Sequence, residues 1–186
     1  MNIGFFIGEM NLRGVANSSY KYAYYNERLL KNKSLIFYNK EEKFHKKEVI
    51  SKFKKKFKVI GVNGFKEMDH YGKKFNLNYI YIQKGGQKDQ NVSNRIKTLI
   101  HFLYPQNLRE VHGHKYICVS EWHSKKFSNN KIPFVPYIVK LHKTKENLKK
   151  NLKIKKNQIV FGCHGGESSF DLRFVHQTLL ETVKKR

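Results

Sequence analysis

Short continuous apolar runs alternate along this chain with stretches in which apolar residues return every three or four positions. The runs are NIGFFI at 2–7, SLIFY at 34–38, FKVIGV at 57–62 and YIYIQ at 79–83. TLIHFL at 98–103, KYICVS at 115–120, VPYIV at 135–139 and QIVF at 158–161 continue the series. Runs this short, with no polar alternation, predict strands covered on both faces in a parallel sheet. Helical spacing predicts helices over 18–31, 46–56, 65–75, 121–127 and 144–152, and a last amphipathic run reaches the final residues. The alternation of the two patterns predicts an α/β fold with a doubly wound, mostly parallel Rossmann-like sheet and right-handed crossovers. Such sheets bind ligands beyond the carboxyl ends of their strands, so the residues just after each strand are the functional candidates.

After the first strand comes GEMNLRGVANSS. Gly8 and Gly14 bracket a loop containing Arg13, and Asn17 or Ser18 is positioned to cap the next helix. A glycine-bearing loop leading to a helix N-terminus can hold an anion, or it is an ordinary connection. KGGQKD follows the 79–83 strand, where Gly85 and Gly86 allow close backbone approach and Lys84 and Asp89 supply charge; a plain turn is the other reading. In LIHFLYP, His101 lies near the end of an apolar strand, either as a satisfied core residue or reaching into the cleft. VHGHKYICVSEWHS then places His112 and Gly113 in a loop before a strand and Ser120 at the start of a helix.

Composition adjusts this picture in three ways. The chain has 186 residues, 39% hydrophobic and 14% aromatic, enough for one full domain and part of another with a real core. No apolar run approaches the ~20 residues that cross a bilayer, and the opening MNIGFFIGEMNLRG lacks the basic and apolar regions of a signal peptide. Two cysteines, Cys118 and Cys163, sit beside apolar runs and read as reduced thiols, so a cytoplasmic protein is expected.

The net charge is +24. It points to a polyanionic partner or to compositional drift toward lysine. Only six of the 38 basic residues are arginine, whereas nucleic-acid readers favour the arginine fork, so nucleic acid ranks below other anionic partners. The lysine-rich segment 43–58, KFHKKEVISKFKKKFK, carries Phe44, Val49, Ile50, Phe53 and Phe57 near helical spacing. It reads as a basic amphipathic helix packed on the sheet, with a peripheral membrane helix as the alternative. Nine histidines raise the question of metal, but HExxH and paired CxxC motifs are absent, and no metal site is assigned. Nucleophile elbow, P-loop and paired-carboxylate patterns are absent too.

Taken in order, several segments resemble one family. They are FFIG with LRGV, YAYYNERLL with NKSLIFY, IYIQKGGQKD, KTLIHFLYP, the HG loop with KYICVSEWHS, PFVPYIV, and NLKIKKNQIVFG with GG and FDLRFVH. The chain is similar to glycosyltransferases of the GT-B type, from the large group related to family 4. The resemblance covers nearly the whole chain and lies in the order of the segments.

It implies an acceptor domain over 1–141, a basic connector over 142–157, and the first strand, loop and helix of a donor-binding domain over 158–186. It implies transfer of a sugar from a nucleotide-sugar donor to an acceptor hydroxyl, with retention, and no cofactor besides that co-substrate. It assigns His101 a place beside the reacting carbon, and Gly8, Arg13 and Gly14 a place bordering the donor phosphates. Lys84, Gly85, Gly86, Asp89, His112, Gly113 and Ser120 complete the substrate-binding set. Gly165 and Gly166 match the glycine turn that shapes the donor phosphate pocket.

Two departures stand out. Cys163 occupies a position that is often arginine in similar sequences, and the remainder of a donor domain is lacking. Weak or absent transfer by this chain alone is therefore expected, with a partner chain as one way to complete the cleft. The alternative function is a basic non-catalytic module that binds nucleic acid or an anionic surface.

Overall fold

A computed structural model describes residues 1–85, 87–104, 112–139, 147–155, 157, 158, 160 and 172–184. The chain divides into two compact units, Met1–Val139 and Lys140–Arg186.

The first unit holds six strands: β1 (Asn2–Ile7), β2 (Lys33–Asn39), β3 (Lys58–Val62), β4 (Tyr79–Lys84), β5 (Lys97–Phe102) and β6 (Lys115–Cys118). All pair in parallel, in the order β3-β2-β1-β4-β5-β6. The helices α1 (Gly14–Arg28) and α2 (Lys47–Lys54) return the chain to β2 and β3. A 3-10 turn (Phe65–Glu67) and α3 (Met68–Lys74) carry it back across to β4, and α4 (Glu121–Ser128) follows β6. The fold is thus α/β and doubly wound, as the alternating pattern predicts.

Each face of the sheet has its own core. Ile7, Ile36 and Phe5 pack against Ala16, Ala23, Val49 and Phe53 on the α1–α2 side. Phe37, Ile80, Ile100 and Phe102 pack against Met68, Phe65 and Phe127 on the α3–α4 side. Within the lysine-rich segment the helix expected over 46–56 is the shorter α2, packed on the sheet: Val49 and Phe53 are buried, as is Phe57 beyond its end, while Phe44 before it stays exposed.

The structure differs from the sequence reading at several boundaries. Residues 135–139 form no strand; a single parallel bridge joins Phe134 to Cys118. Pro133 and Pro136 lack the N–H groups that a longer ladder would need. The Val135 amide still donates to the Cys118 carbonyl at 2.9 Å.

α1 starts at Gly14 rather than at Ser18, whose side chain lies a turn inside the helix and points to Gln83 instead of capping it. The 65–75 helix divides into a 3-10 turn and α3. Gly113 has φ +100, and a Cβ there would come within 2.6 Å of Ile100 Cδ1. Gly113→Ala is expected to lower the unfolding free energy by about 1–3 kcal/mol, read from urea midpoints at constant m-value.

In the second unit, α5 (Leu148–Asn151) is capped by Asn147, whose side chain accepts from the Lys150 amide. It occupies the later part of the helix expected over 144–152; residues 144–146 lie outside the described residues. Gln158 and Val160 are in no strand, while Ile159 and Phe161 lie outside the described residues. α6 (Arg173–Lys184) forms from the amphipathic run and leaves Phe174, Leu180 and Val183 exposed. Cys163, Gly165 and Gly166 lie outside the described residues.

Candidate functional site

The strand order reverses between β1 and β4, which opens a crevice beyond their carboxyl ends. The loop from β1 to α1 leads away from this point. His45 pins it: the Met10 amide donates to Nδ1 at 3.0 Å, and Nε2 lies 2.6 Å from the Asn39 carbonyl. With Nδ1 accepting, Nε2 carries the proton and donates to that carbonyl. The Asn11 side chain donates to Glu9 at 2.6 Å and accepts from the Arg13 amide at 2.9 Å.

Gly8 and Gly14 lie within this braced loop, and a Cβ on either would meet nothing within 4 Å. Packing therefore does not demand glycine at these positions; what glycine leaves there is open space. α1 begins with no side-chain cap at Arg13 and no acidic residue in its first turn. Its leading amides and its dipole favour an anion. Behind the loop, Ser18 donates to Gln83 Oε1 at 2.9 Å, and Gln83 donates to Ser19 at 3.2 Å. This buried exchange joins α1 to the end of β4.

The structure brings three predicted residues together at the end of β4. Lys84, the last residue of β4, places Nζ 2.6 Å from Asp89 Oδ1 and 2.6 Å from His112 Nε2. Asp89 Oδ1 and His112 Nε2 are 3.2 Å apart. Asn91 orients the carboxylate, its amide donating to Oδ1 at 2.8 Å and its side chain to Oδ2 at 3.2 Å.

The Lys84 side chain is 9% exposed and that of Asp89 37%. The difference shows in their acidities. Burial pushes the Lys84 ammonium below its ordinary pKa, and Asp89 only partly offsets it. Burial acts to raise Asp89, but the hydrogen bonds from Lys84 and Asn91 outweigh it and hold the carboxyl below its usual value. A protonated Lys84 can donate to His112 only if Nε2 carries the lone pair. Lysine, carboxylate and imidazole therefore form a unit through which a proton can be relocated. A cavity of about 410 Å³ adjoins it, lined by Asp89, Gln90, Ser93, Asp69 and Lys66. Ser93 donates to Asp69 in its wall. Gly85 continues from Lys84, and Gly86 lies outside the described residues.

His101 and Ser120 occupy different surroundings. Ser120 accepts from the His123 amide at 3.1 Å and so serves as the N-cap of α4. His101 is fully buried on β5. Its Nδ1 lies 2.6 Å from the Tyr81 hydroxyl, and its ring packs among Tyr22, Tyr81 and Tyr137. Nε2 is buried without a hydrogen-bond partner. Burial lowers the His101 pKa to about 4, with the nearby Cys118 and Val135 carbonyls pulling the other way. His101 thus forms part of an apolar wall with Leu99, Ile117 and Val135, around a cavity of about 420 Å³. Its contacts are with aromatic rings rather than with Lys84, Asp89 or His112.

Sequence reasoning did not single out Gln83, Ser19, His45 or His123. His123 is buried with both ring nitrogens unpartnered, and burial lowers its pKa. Polar residues inside apolar segments were the available signal for Gln83 and His123; the reach of His45 to Met10 left none. Among the described residues, no group of three or more His, Cys, Asp or Glu is placed to hold a metal, and no helix is long and apolar enough to cross a membrane. Comparison with protein-family models, with curated proteins and with solved structures gives no match.

Proposed function

We propose that the first unit is the acceptor side of a GT-B type glycosyltransferase, with the crevice beyond β1 and β4 as its substrate site. The observation that carries this reading is the meeting of Lys84, Asp89 and His112 at the end of β4, the strand paired with β1, whose own following loop has open space at Gly8 and Gly14. The loop offers amides and a helix dipole to a phosphate. The cluster offers a carboxylate to orient an acceptor hydroxyl and an ammonium to steady negative charge.

In the transfer itself, the bond from the sugar's anomeric carbon to the donor diphosphate breaks. A bond from that carbon to the acceptor oxygen forms, and the hydroxyl proton passes to the departing diphosphate. Such chemistry rests on positioning and electrostatics, which suits a site without a nucleophile triad.

The test has two parts. Amide NMR of the full chain, titrated separately with nucleoside diphosphates and oligosaccharides, is expected to shift Gly8, Arg13, Gly14, Lys84 and Gly85. Lys84→Met is expected to weaken that binding about 10- to 100-fold, the usual effect of losing a charged hydrogen-bond donor. Transfer assays with a panel of nucleotide sugars then ask whether the chain turns over alone. Absence of crevice shifts at millimolar ligand, or shifts confined to other surfaces, would overturn the reading.

A further inference from the structure

A parallel sheet sends every strand the same way, so its two ends collect different residues. All six strands start at one end, and α1, α2 and α3 finish there. β2, β3, β5 and β6 each begin on an exposed lysine: Lys33, Lys58, Lys97 and Lys115. The last turns of the three helices add Arg28, Lys54, Lys73 and Lys74, all exposed.

The acidic residues are distributed the other way. Among the described carboxylates of this unit, Glu27 alone lies at the amino end, and Lys56 faces it at 3.3 Å. The rest occupy the loops after β1, β2 and β4, the first turn of α2, the start of α3 and the first turn of α4. Cations at helix C-termini satisfy the helix dipoles, but that does not account for the lysines that open four strands. Nor does it account for Leu29 and Leu30, which stand 67% and 68% exposed beside them.

We propose that this amino end of the sheet is a docking surface for an anionic lipid bilayer. The charge is complementary, and among the described residues this end sets its cations against a single carboxylate, Glu27, whereas the cations of the other end stand among carboxylates. Lysine, as a point charge, suits a diffuse field of headgroups, whereas phosphate and base recognition in nucleic acid favours the arginine fork. Arginine is the minority cation at this end: Arg28, whose guanidinium donates to Tyr24, and Arg95, just before β5, stand among the lysines. The exposed leucine pair gives the surface an apolar element that a bilayer interface accepts and a phosphodiester backbone does not.

Co-sedimentation of the full chain with neutral and with phosphatidylglycerol-containing vesicles tests the proposal. Binding to the anionic vesicles, weakening as salt is raised past about 0.1 M, is expected. The variant K33Q/K58Q/K97Q/K115Q is expected to lose at least about tenfold in partition, since each lysine near such a surface contributes several-fold. A charge-matched variant in the carboxyl-end loops and first turns, K43Q/K47Q/K66Q/K88Q, is expected to change less than about twofold, lying beyond the screening length. Leu29→Ser with Leu30→Ser is expected to reduce partition while leaving its salt slope intact.

Equal losses in the two lysine variants would assign binding to net charge and overturn the proposal. So would indifference to lipid charge, or failure of the parent chain to bind. Duplex DNA that outcompetes the vesicles through the same four lysines, with no effect from the leucines, would make the surface a nucleic-acid site instead. Circular dichroism melts of each variant separate loss of binding from loss of fold.

Discussion

Phe53→Ala is expected to lower the unfolding free energy by about 3–5 kcal/mol, a large share of the stability of an ordinary domain. Phe53 is 1% exposed, and Tyr20 meets its ring edge-on at 5.0 Å. Tyr20 also meets Phe57 at 5.3 Å, so the three rings lock α1, α2 and the start of β3 together. Truncation would leave a cavity that this rigid aromatic group cannot close.

The same segment carries Lys54, Lys55 and Lys56 on its exposed side. Changing all three to Gln is expected to cost no more than about 1 kcal/mol, because surface charges and pairs such as Lys56–Glu27 contribute little. Urea melts of both variants provide the comparison. A Phe53→Ala melt as mild as that of the lysine variant would show that α2 is an appendage rather than part of the core.

The second large effect is acid sensitivity. His101 has its pKa lowered from 6.5 to about 4 by burial. Above 6.5 neither folded nor unfolded chain binds a proton at this position. As pH falls from 6.5 toward 4, the unfolded chain takes up the proton and the folded chain refuses it, so stability declines. Below 4 both are protonated and the loss levels off, at about 3 kcal/mol in total.

Some 2 kcal/mol of this is expected between pH 6.5 and pH 5, before ordinary carboxylates begin to protonate. His123 adds to it in the same direction, since burial depresses its pKa as well. Urea midpoints for the parent chain should therefore fall steadily from pH 7 to pH 5. In His101→Asn the fall should be shallower, whatever that variant's stability at pH 7. An unchanged slope would mean that His101 is not held neutral by the fold.

How much of this was legible in the sequence depended on where each signal resides. The six strands of the sheet lie within two residues of their expected limits, because a strand buried on both faces is written in its own residues. The expected strand at 135–139 failed because apolar content was read without the donors that Pro133 and Pro136 remove. The start of α1 failed for another reason: Ser18 has the chemistry of a cap, but Gln83, 65 residues away, draws it inward.

The candidate site shows the same division. Lys84 and Asp89 could be named from their position after a strand, and His112 from the loop that precedes one. Their meeting depends on β5 running between β4 and β6, which is a fact of topology. His101 was open to two readings from sequence, and its burial was decided by Tyr22 and Tyr137, residues distant along the chain. Burial of His123 went unread because EWHSKKFS points equally well to Trp122, which the structure leaves 61% exposed.

The central position of β1 has a consequence for synthesis. Its partner β2 follows closely, but its other neighbour, β4, does not: Asn2 and Asn78, which join their starting ends, are 76 residues apart. At about 5–20 residues per second, the ribosome needs roughly 4–15 s to supply that partner. During that interval the β1 edge carrying Phe5, Phe6 and Ile7 stands open, a template for pairing with another nascent chain. The segment emerging meanwhile, from Lys40 to Lys74, is dense in lysine. Mutual repulsion between such segments keeps growing chains apart until β4 closes the sheet.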